Sequence, residues 1–330
     1  MYDKIKISLP SGVLSLLQKD CEDFLILKEN GAPNMNAFIN TLVMNFYEAF
    51  SADEESLHDE VERALFGVPE IYKKSAFDRV VKLMAKAACP AEEKNSCALA
   101  FKPTKASLRA VIHIENVLSA NESLSSFYRR MFTVYSQKTK TEREKIICKE
   151  NYAFLTHAAE KGVQVFLSLK NGIFFQSASV YAVAPAQDEL FSYVLLYSNG
   201  KNHTIRLAKI NTVSLLTEKS AIPDANRAMF DKQVLCGAQY PIYSTDYEPI
   251  KVQLTEKGKA LFQKIYLYRP VPTSIEGDVY TFECSANQVL YYFERFGDNA
   301  LILAPKRLGI FMRNYYYYAL KKYRSIYKID

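Results

Sequence analysis

Within residues 191–216, two apolar runs rich in β-forming residues flank the dipeptide Asn199-Gly200. Asn-Gly accepts the positive φ angles of a two-residue hairpin turn, so the pair predicts two antiparallel strands joined tightly. The second run carries Arg206 and Lys209 among aliphatic residues. Bulky apolar residues around two cations predict a small barrel that shows positive charge on one rim. No nucleophile and no metal-ligand spacing accompany them, which points to binding rather than catalysis.

At 330 residues the chain has the length of two or three domains, and its 49% hydrophobic content supplies a core for each. No apolar run reaches the roughly 18 residues of a membrane span. The segment from Met1 to Lys6 lacks the apolar stretch of a signal peptide. A cytoplasmic protein with no membrane partner is expected. Cys21, Cys89, Cys97, Cys148, Cys236 and Cys284 are scattered without a C-x-x-C pair and read as reduced, buried thiols. His58, His113, His157 and His203 show no ligand spacing. Phosphate-loop, dinucleotide-binding and nucleophile-elbow motifs do not occur. No cofactor, no metal and no catalytic residue is expected.

Lys and Arg number 42 against 36 Asp and Glu, a net charge of +6. The distribution says more than the sum. Arg129, Arg130, Lys138, Lys140, Arg143, Lys145 and Lys149 face only Glu142 and Glu144 in their stretch, and residues 306–328 carry seven cations with no acid. Such segregation suits a polyanionic partner. A solvated charged surface explains the same letters.

Residues 4–9 alternate Lys4, Lys6 and Ser8 with Ile5, Ile7 and Leu9, the pattern of a half-buried strand. A helix is predicted over 11–27, a break at 29–33, and a second helix from about Asn36 with apolar residues at helical spacing. This strand-helix-helix unit resembles a ribbon-helix-helix module. The resemblance implies that two chains pair their strands and that Lys4, Lys6 and Ser8 face a DNA major groove. It also implies that Asn34 and Asn36 start a helix whose backbone N–H groups meet phosphate. An edge strand with two core helices remains the alternative.

Residues 53–150 read as mostly helical, with a polar, Pro-containing connector over 90–103. Over 127–135 aromatics neighbour Arg129 and Arg130, as in many nucleic-acid binders, although a helix with buried rings gives the same pattern. From Tyr152 the pattern changes. A helix over 154–161 precedes strand-like runs at 164–170, 172–177 and 178–184, followed by the strands holding Tyr193 and Thr204, as in a small bent barrel.

The sequence Val183-Ala184-Pro185, then Ser192-Tyr193-Val194, then the run from Ile205 to Ile210 with Arg206 and Lys209, resembles a WYL domain, an Sm-like β-barrel of bacterial regulators. The family's Trp is Ser192 here, its Leu is Val194, and its second Arg is Lys209. Further on, strand, helix, strand, helix and strand patterns with Phe296-Gly297 and Pro305 resemble the ferredoxin-like extension that follows WYL domains. The expected fold is therefore α+β. It has a ribbon-helix-helix-like module over 1–52, a helical region over 53–150, a WYL β-barrel over 151–220 and a C-terminal α/β extension over 221–330 that carries dimerisation.

The resemblance implies binding of nucleic acid or another anion. Arg206 and Lys209 are the candidate phosphate contacts, with Tyr193, His203 and Ser168 nearby. On a regular strand 206 and 209 would face opposite ways, so a bend or bulge must bring them together. Arg206 in an internal salt bridge is the alternative. The Tyr315–Tyr318 run reads as a dimer interface or as a platform for single strands. The combination of parts resembles the accessory proteins of type VI-D CRISPR-Cas systems. That implies a homodimer that binds single-stranded RNA and stimulates an RNA-guided ribonuclease. The alternative is a transcriptional regulator that binds duplex operator DNA through its ribbon.

Overall fold

A computed structural model describes residues 4–88, 96–118, 123–243 and 248–327. Cys89, Pro90, Lys328 and the other positions outside these ranges are not described. Helices and antiparallel sheets are mixed throughout, an α+β chain. It divides into two compact units, residues 1–150 and 151–330.

The first unit repeats one pattern twice. Strand β1 (Ile5–Pro10) leads into α1 (Ser11–Asp23) and α2 (Met35–Ala64). After α3 (Glu70–Ala88), strand β2 (Ser96–Phe101) leads into α4 (Lys105–Val117) and α5 (Leu124–Gln137), and α6 (Lys140–Ile147) follows. β1 and β2 pair antiparallel, with Ile7 opposite Leu99. Alternation sends Ile7, Leu9, Leu99 and Phe101 inward, where they join Leu17, Phe38, Leu42, Phe46, Tyr128 and Phe132 in one core. This corrects the expectation that the ribbon needs a second chain: the partner strand lies about ninety residues on in the same chain, inside what reads as a connector. Residue 52 is also no boundary, because α2 runs unbroken through it.

Asparagines lock the two repeats together. Asn36 Oδ1 accepts from Lys102 N at 2.7 Å. Asn40, buried, donates to Asn36 O (2.7 Å) and Lys102 O (3.0 Å), and accepts from Thr104 N (3.0 Å) and Ser107 Oγ. α2 of the first repeat thus supplies the partners for the strand-to-helix turn of the second.

The second unit begins in α7 (Lys149–Lys161) and continues as β3 (Val163–Leu169), β4 (Phe174–Pro185), β5 (Ser192–Ser198), β6 (Lys201–Arg206), one 3₁₀ turn (Leu207–Lys209) and β7 (Ile210–Lys219). The strands form one antiparallel sheet in the order β6-β5-β4-β3-β7. Asn199 and Gly200 both have positive φ, 51° and 76°, as the tight turn requires. The runs expected as separate strands at 172–177 and 178–184 are the single strand β4. Register shifts against β3 and β5 bend it, without a turn.

After α8 (Asp224–Cys236), β8 (Ile250–Leu254), α9 (Glu256–Lys264), β9 (Ser274–Glu276), β10 (Val279–Phe282), α10 (Ala286–Phe293), β11 (Ala300–Ala304) and α11 (Lys306–Tyr327) complete the chain. Their sheet is antiparallel in the order β11-β8-β10-β9, and it contains one strand, β9, that the sequence pattern does not show. Val252, Phe282, Val289, Phe293, Phe296 and Ile302 pack its core. Gly258 is obligatory there, since a Cβ would lie 2.2 Å from Asn299 O.

Candidate nucleic-acid interface

Hairpin register fixes the centre of the candidate site. Counting outward from Asn199-Gly200 places Tyr193 directly opposite Arg206 across β5 and β6. The Arg206 guanidinium carbon lies 3.4 Å over the centroid of the Phe191 ring, a cation–π contact. Arg206 is half-buried. Lys209 closes the 3₁₀ turn and is exposed. Arg206 is the last residue of β6 and Lys209 the last of the 3₁₀ turn, so the regular strand alternation is interrupted between them. No carboxylate among the described residues is paired with Lys209. Its carbonyl accepts from Lys170 N at 2.9 Å, which ties the turn to the end of β3.

The other expected residues, Ser168 and His203, make contacts of their own. Ser168, opposite Thr212 on β7, shares a hydroxyl hydrogen bond of 2.6 Å with it. His203 meets Phe175 edge-on at 5.0 Å, and its Nε2 is 3.2 Å from Ser198 O. Sequence reasoning missed Phe191, Asp188, Tyr240 and Tyr268. The Tyr268 hydroxyl donates to Asp188, whose other oxygen accepts from Leu190 N at 3.0 Å. Tyr240 meets the Tyr268 ring edge-on at 6.3 Å. The carboxylate acceptor, then burial, pushes Tyr268 up to about 12. Burial foremost pushes Tyr240 up to about 12. Three segments distant in sequence meet here, so only the Tyr193–Arg206 pairing was readable in advance.

On the ribbon, Lys4, Lys6 and Ser8 are exposed, as the alternation predicts. Across from them lie Ala100 (opposite Lys6) and Ala98 (opposite Ser8), with Lys102 exposed at the strand end. The outer face is therefore basic along one strand and small along the other.

The basic run over 129–149 is largely engaged within the unit. Arg130 grips Glu54 with Nε–Oε1 2.9 Å and Nη2–Oε2 3.1 Å. Arg143 grips the buried Asp20 through Nε (2.7 Å) and Nη2 (3.2 Å), and Tyr135 donates to the same carboxylate at 3.0 Å. Lys140 pairs with Asp23. Arg129 is half-buried, and its Nε is buried without a hydrogen-bond partner among the described residues. In the Tyr315–Tyr318 run, Tyr315, Tyr317 and Tyr318 are exposed, whereas the Tyr316 hydroxyl donates to Glu294 O at 2.9 Å.

Among the described residues no helix is long and apolar enough to cross a membrane. No cluster of three or more His, Cys, Asp or Glu that could hold a metal occurs among them.

No protein-family model matches the chain, and no curated protein matches it. A solved structure described as that of a CRISPR Cas-related protein superposes with a TM-score of 0.68 at 15% identity, covering 98% of this chain and 95% of that one. Proteasome accessory factor B/C (PafBC) of Arthrobacter aurescens aligns over 66% of this chain and 35% of its own with a TM-score of 0.25 at 15% identity. The chain thus shares its fold, over nearly its whole length, with the CRISPR Cas-related protein.

Proposed function

We propose that this chain is a non-catalytic nucleic-acid-binding protein of the WYL type that binds single-stranded RNA and stimulates a CRISPR RNA-guided ribonuclease. The observation that carries the reading is an Arg206 guanidinium set over the Phe191 ring, opposite Tyr193, with an exposed Lys209 at the end of the following 3₁₀ turn. A guanidinium held on a ring and a nearby lysine supply two positive charges for phosphate. A helix followed by five antiparallel strands fits an Sm-like barrel, and the β8-α9-β9-β10-α10-β11 order fits a ferredoxin-like extension. The CRISPR-related description of the structural neighbour supports the assignment of the partner. The exposed face of α11 fits a second copy of the chain, giving a homodimer.

The test is a filter-binding series of single-stranded RNA against duplex DNA, with and without the ribonuclease. Tight single-strand binding and faster cleavage by the ribonuclease are expected, with no cleavage by the protein alone. In Arg206→Ala/Lys209→Ala, loss of two phosphate contacts from a single strand should flatten the log affinity–log salt slope by about 1.4. Unchanged affinity in the folded double variant rejects the site.

One observation favours a second reading, a regulator that binds operator DNA. The ribbon is complete within the chain and shows Lys4, Lys6, Ser8 and Lys102 on its outer face. A two-stranded ribbon fits the major groove. On this reading Lys4→Ala/Lys6→Ala abolishes duplex binding and spares single-stranded RNA.

A further inference from the structure

Phe166 and Phe174 point outward from the five-stranded sheet. Val165 and Leu167 are fully buried, so alternation turns Phe166 and Ser168 to the outside of β3. Phe174 stands opposite Ser168 and shares that outer face. The two rings stack with centroids 6.4 Å apart and planes 26° from parallel. Phe174 is 59% exposed, and its neighbour Ile173 is 54% exposed. Across the strip lie Thr212, opposite Ser168, and Ser214, opposite Phe166, on β7. Phe166 is half-buried, and with exposed Phe174 and Ile173 it forms an apolar patch of the kind that marks an interaction site.

The surroundings identify the partner. No Asp or Glu occurs from residue 161 to 187, and none on β7 before Glu218. Lys170 and Lys209 are both exposed at the Ser168–Thr212 end, their backbones joined by the 2.9 Å hydrogen bond from Lys170 N to Lys209 O. Two outward rings, a hydroxyl row and lysines at one end lie on strand segments that themselves carry no acid. It matches bases that stack while their backbone passes near cations. An apolar protein surface would need the rings but not the lysines. A duplex hides its base faces and cannot use the rings at all.

We propose that the outer face of β3, β4 and β7 is a stacking platform on which Phe166 and Phe174 receive bases of a single-stranded RNA, with its backbone leading toward Lys170 and Lys209. This rests on the RNA-binding reading above and adds the residues that take the bases.

The full-length chain is titrated with oligouridylate, with the same RNA carrying abasic sites, and with the equivalent single-stranded DNA, each over a salt series. Phe166→Ala and Phe174→Ala should each weaken intact RNA about 5- to 150-fold, with the salt slope unchanged, because stacking neutralises no phosphate. Lys209→Ala should instead lower the slope. Abasic RNA should bind the wild type as weakly as intact RNA binds the ring variants, and should be insensitive to those variants. Equal losses on RNA and DNA support a platform indifferent to the sugar, and a larger loss on RNA supports one selective for RNA. Phe174→Leu keeps an apolar, exposed side chain without a ring and should lose affinity as Phe174→Ala does, which decides the matter if Phe166→Ala fails to fold. Wild-type binding of intact RNA with no loss in Phe174→Leu overturns the platform while leaving the RNA-binding reading standing, and equal wild-type affinity for abasic RNA does the same. Absence of any wild-type binding to single strands overturns both.

Discussion

Asp20 is 1% exposed and receives hydrogen bonds from Arg143 and Tyr135. Removing one member of such a buried ion pair strands the other charge, so Asp20→Ala should cost about 3–5 kcal/mol in a urea titration. Replacing both members, as in Asp20→Leu/Arg143→Met, should cost less, because no charge is left alone. Lys209 is the opposite case. It is exposed, so Lys209→Ala should move stability by no more than about 0.5 kcal/mol. The phenol of Tyr268 adds a pH dependence. Its pKa is raised from the ordinary 10.0 to about 12. The folded chain therefore keeps a proton that the unfolded chain has released. Stability from this group is complete below pH 10 and is lost as pH rises toward 12. Tyr181 and Tyr240 are raised to about 12 as well, so Tyr268→Phe should lessen the alkaline loss in unfolding midpoint without abolishing it.

At the scale of elements, the strand-to-helix turn after β2 depends on a residue of α2. Asn40→Ala would remove a partner of the Lys102 carbonyl and one of the two acceptors of the Thr104 N–H, which keeps Ser107 Oγ at 3.0 Å. At roughly 1–3 kcal/mol for an unmet group, a loss of about 1–3 kcal/mol is expected, read as a lower urea midpoint at unchanged slope. The same junction shows what the sequence could reveal. β1 was legible because Ile5, Ile7 and Leu9 alternate with polar residues. β2 was not, because Ser96 to Phe101 holds small residues and no β-branched one, and its strand character comes from pairing with β1. β9, three residues long, is likewise created by its neighbour β10. The β5–β6 hairpin was readable, register included, since Asn199-Gly200 fixes both the turn and the opposition of Tyr193 to Arg206. The fate of the basic run was not readable. Glu54, Asp20 and Asp23, which take up Arg130, Arg143 and Lys140, lie 76, 123 and 117 positions away. Local pattern reading cannot see pairings at that separation.

For the whole molecule, the in-chain ribbon separates folding from association. Phe311, Tyr315 and Tyr318 recur at helical spacing on α11 and are exposed, while only Leu308 and Met312 of that helix are buried. Exposed tyrosine-rich surface of this kind suits a protein interface, and a second copy is the proposed occupant. Phe311→Glu/Tyr318→Glu would place carboxylates in that contact and should convert dimer to monomer in sedimentation experiments. If β1 drew its partner from another chain, such a monomer would lose the first unit as well, and dilution of the wild type would unfold it. Because β1 pairs with β2 of its own chain and Asn40 fastens the two repeats, the monomeric variant should instead keep the wild-type unfolding midpoint of residues 1–150 at every protein concentration. A midpoint that falls with dilution would show that the ribbon, too, depends on the second copy.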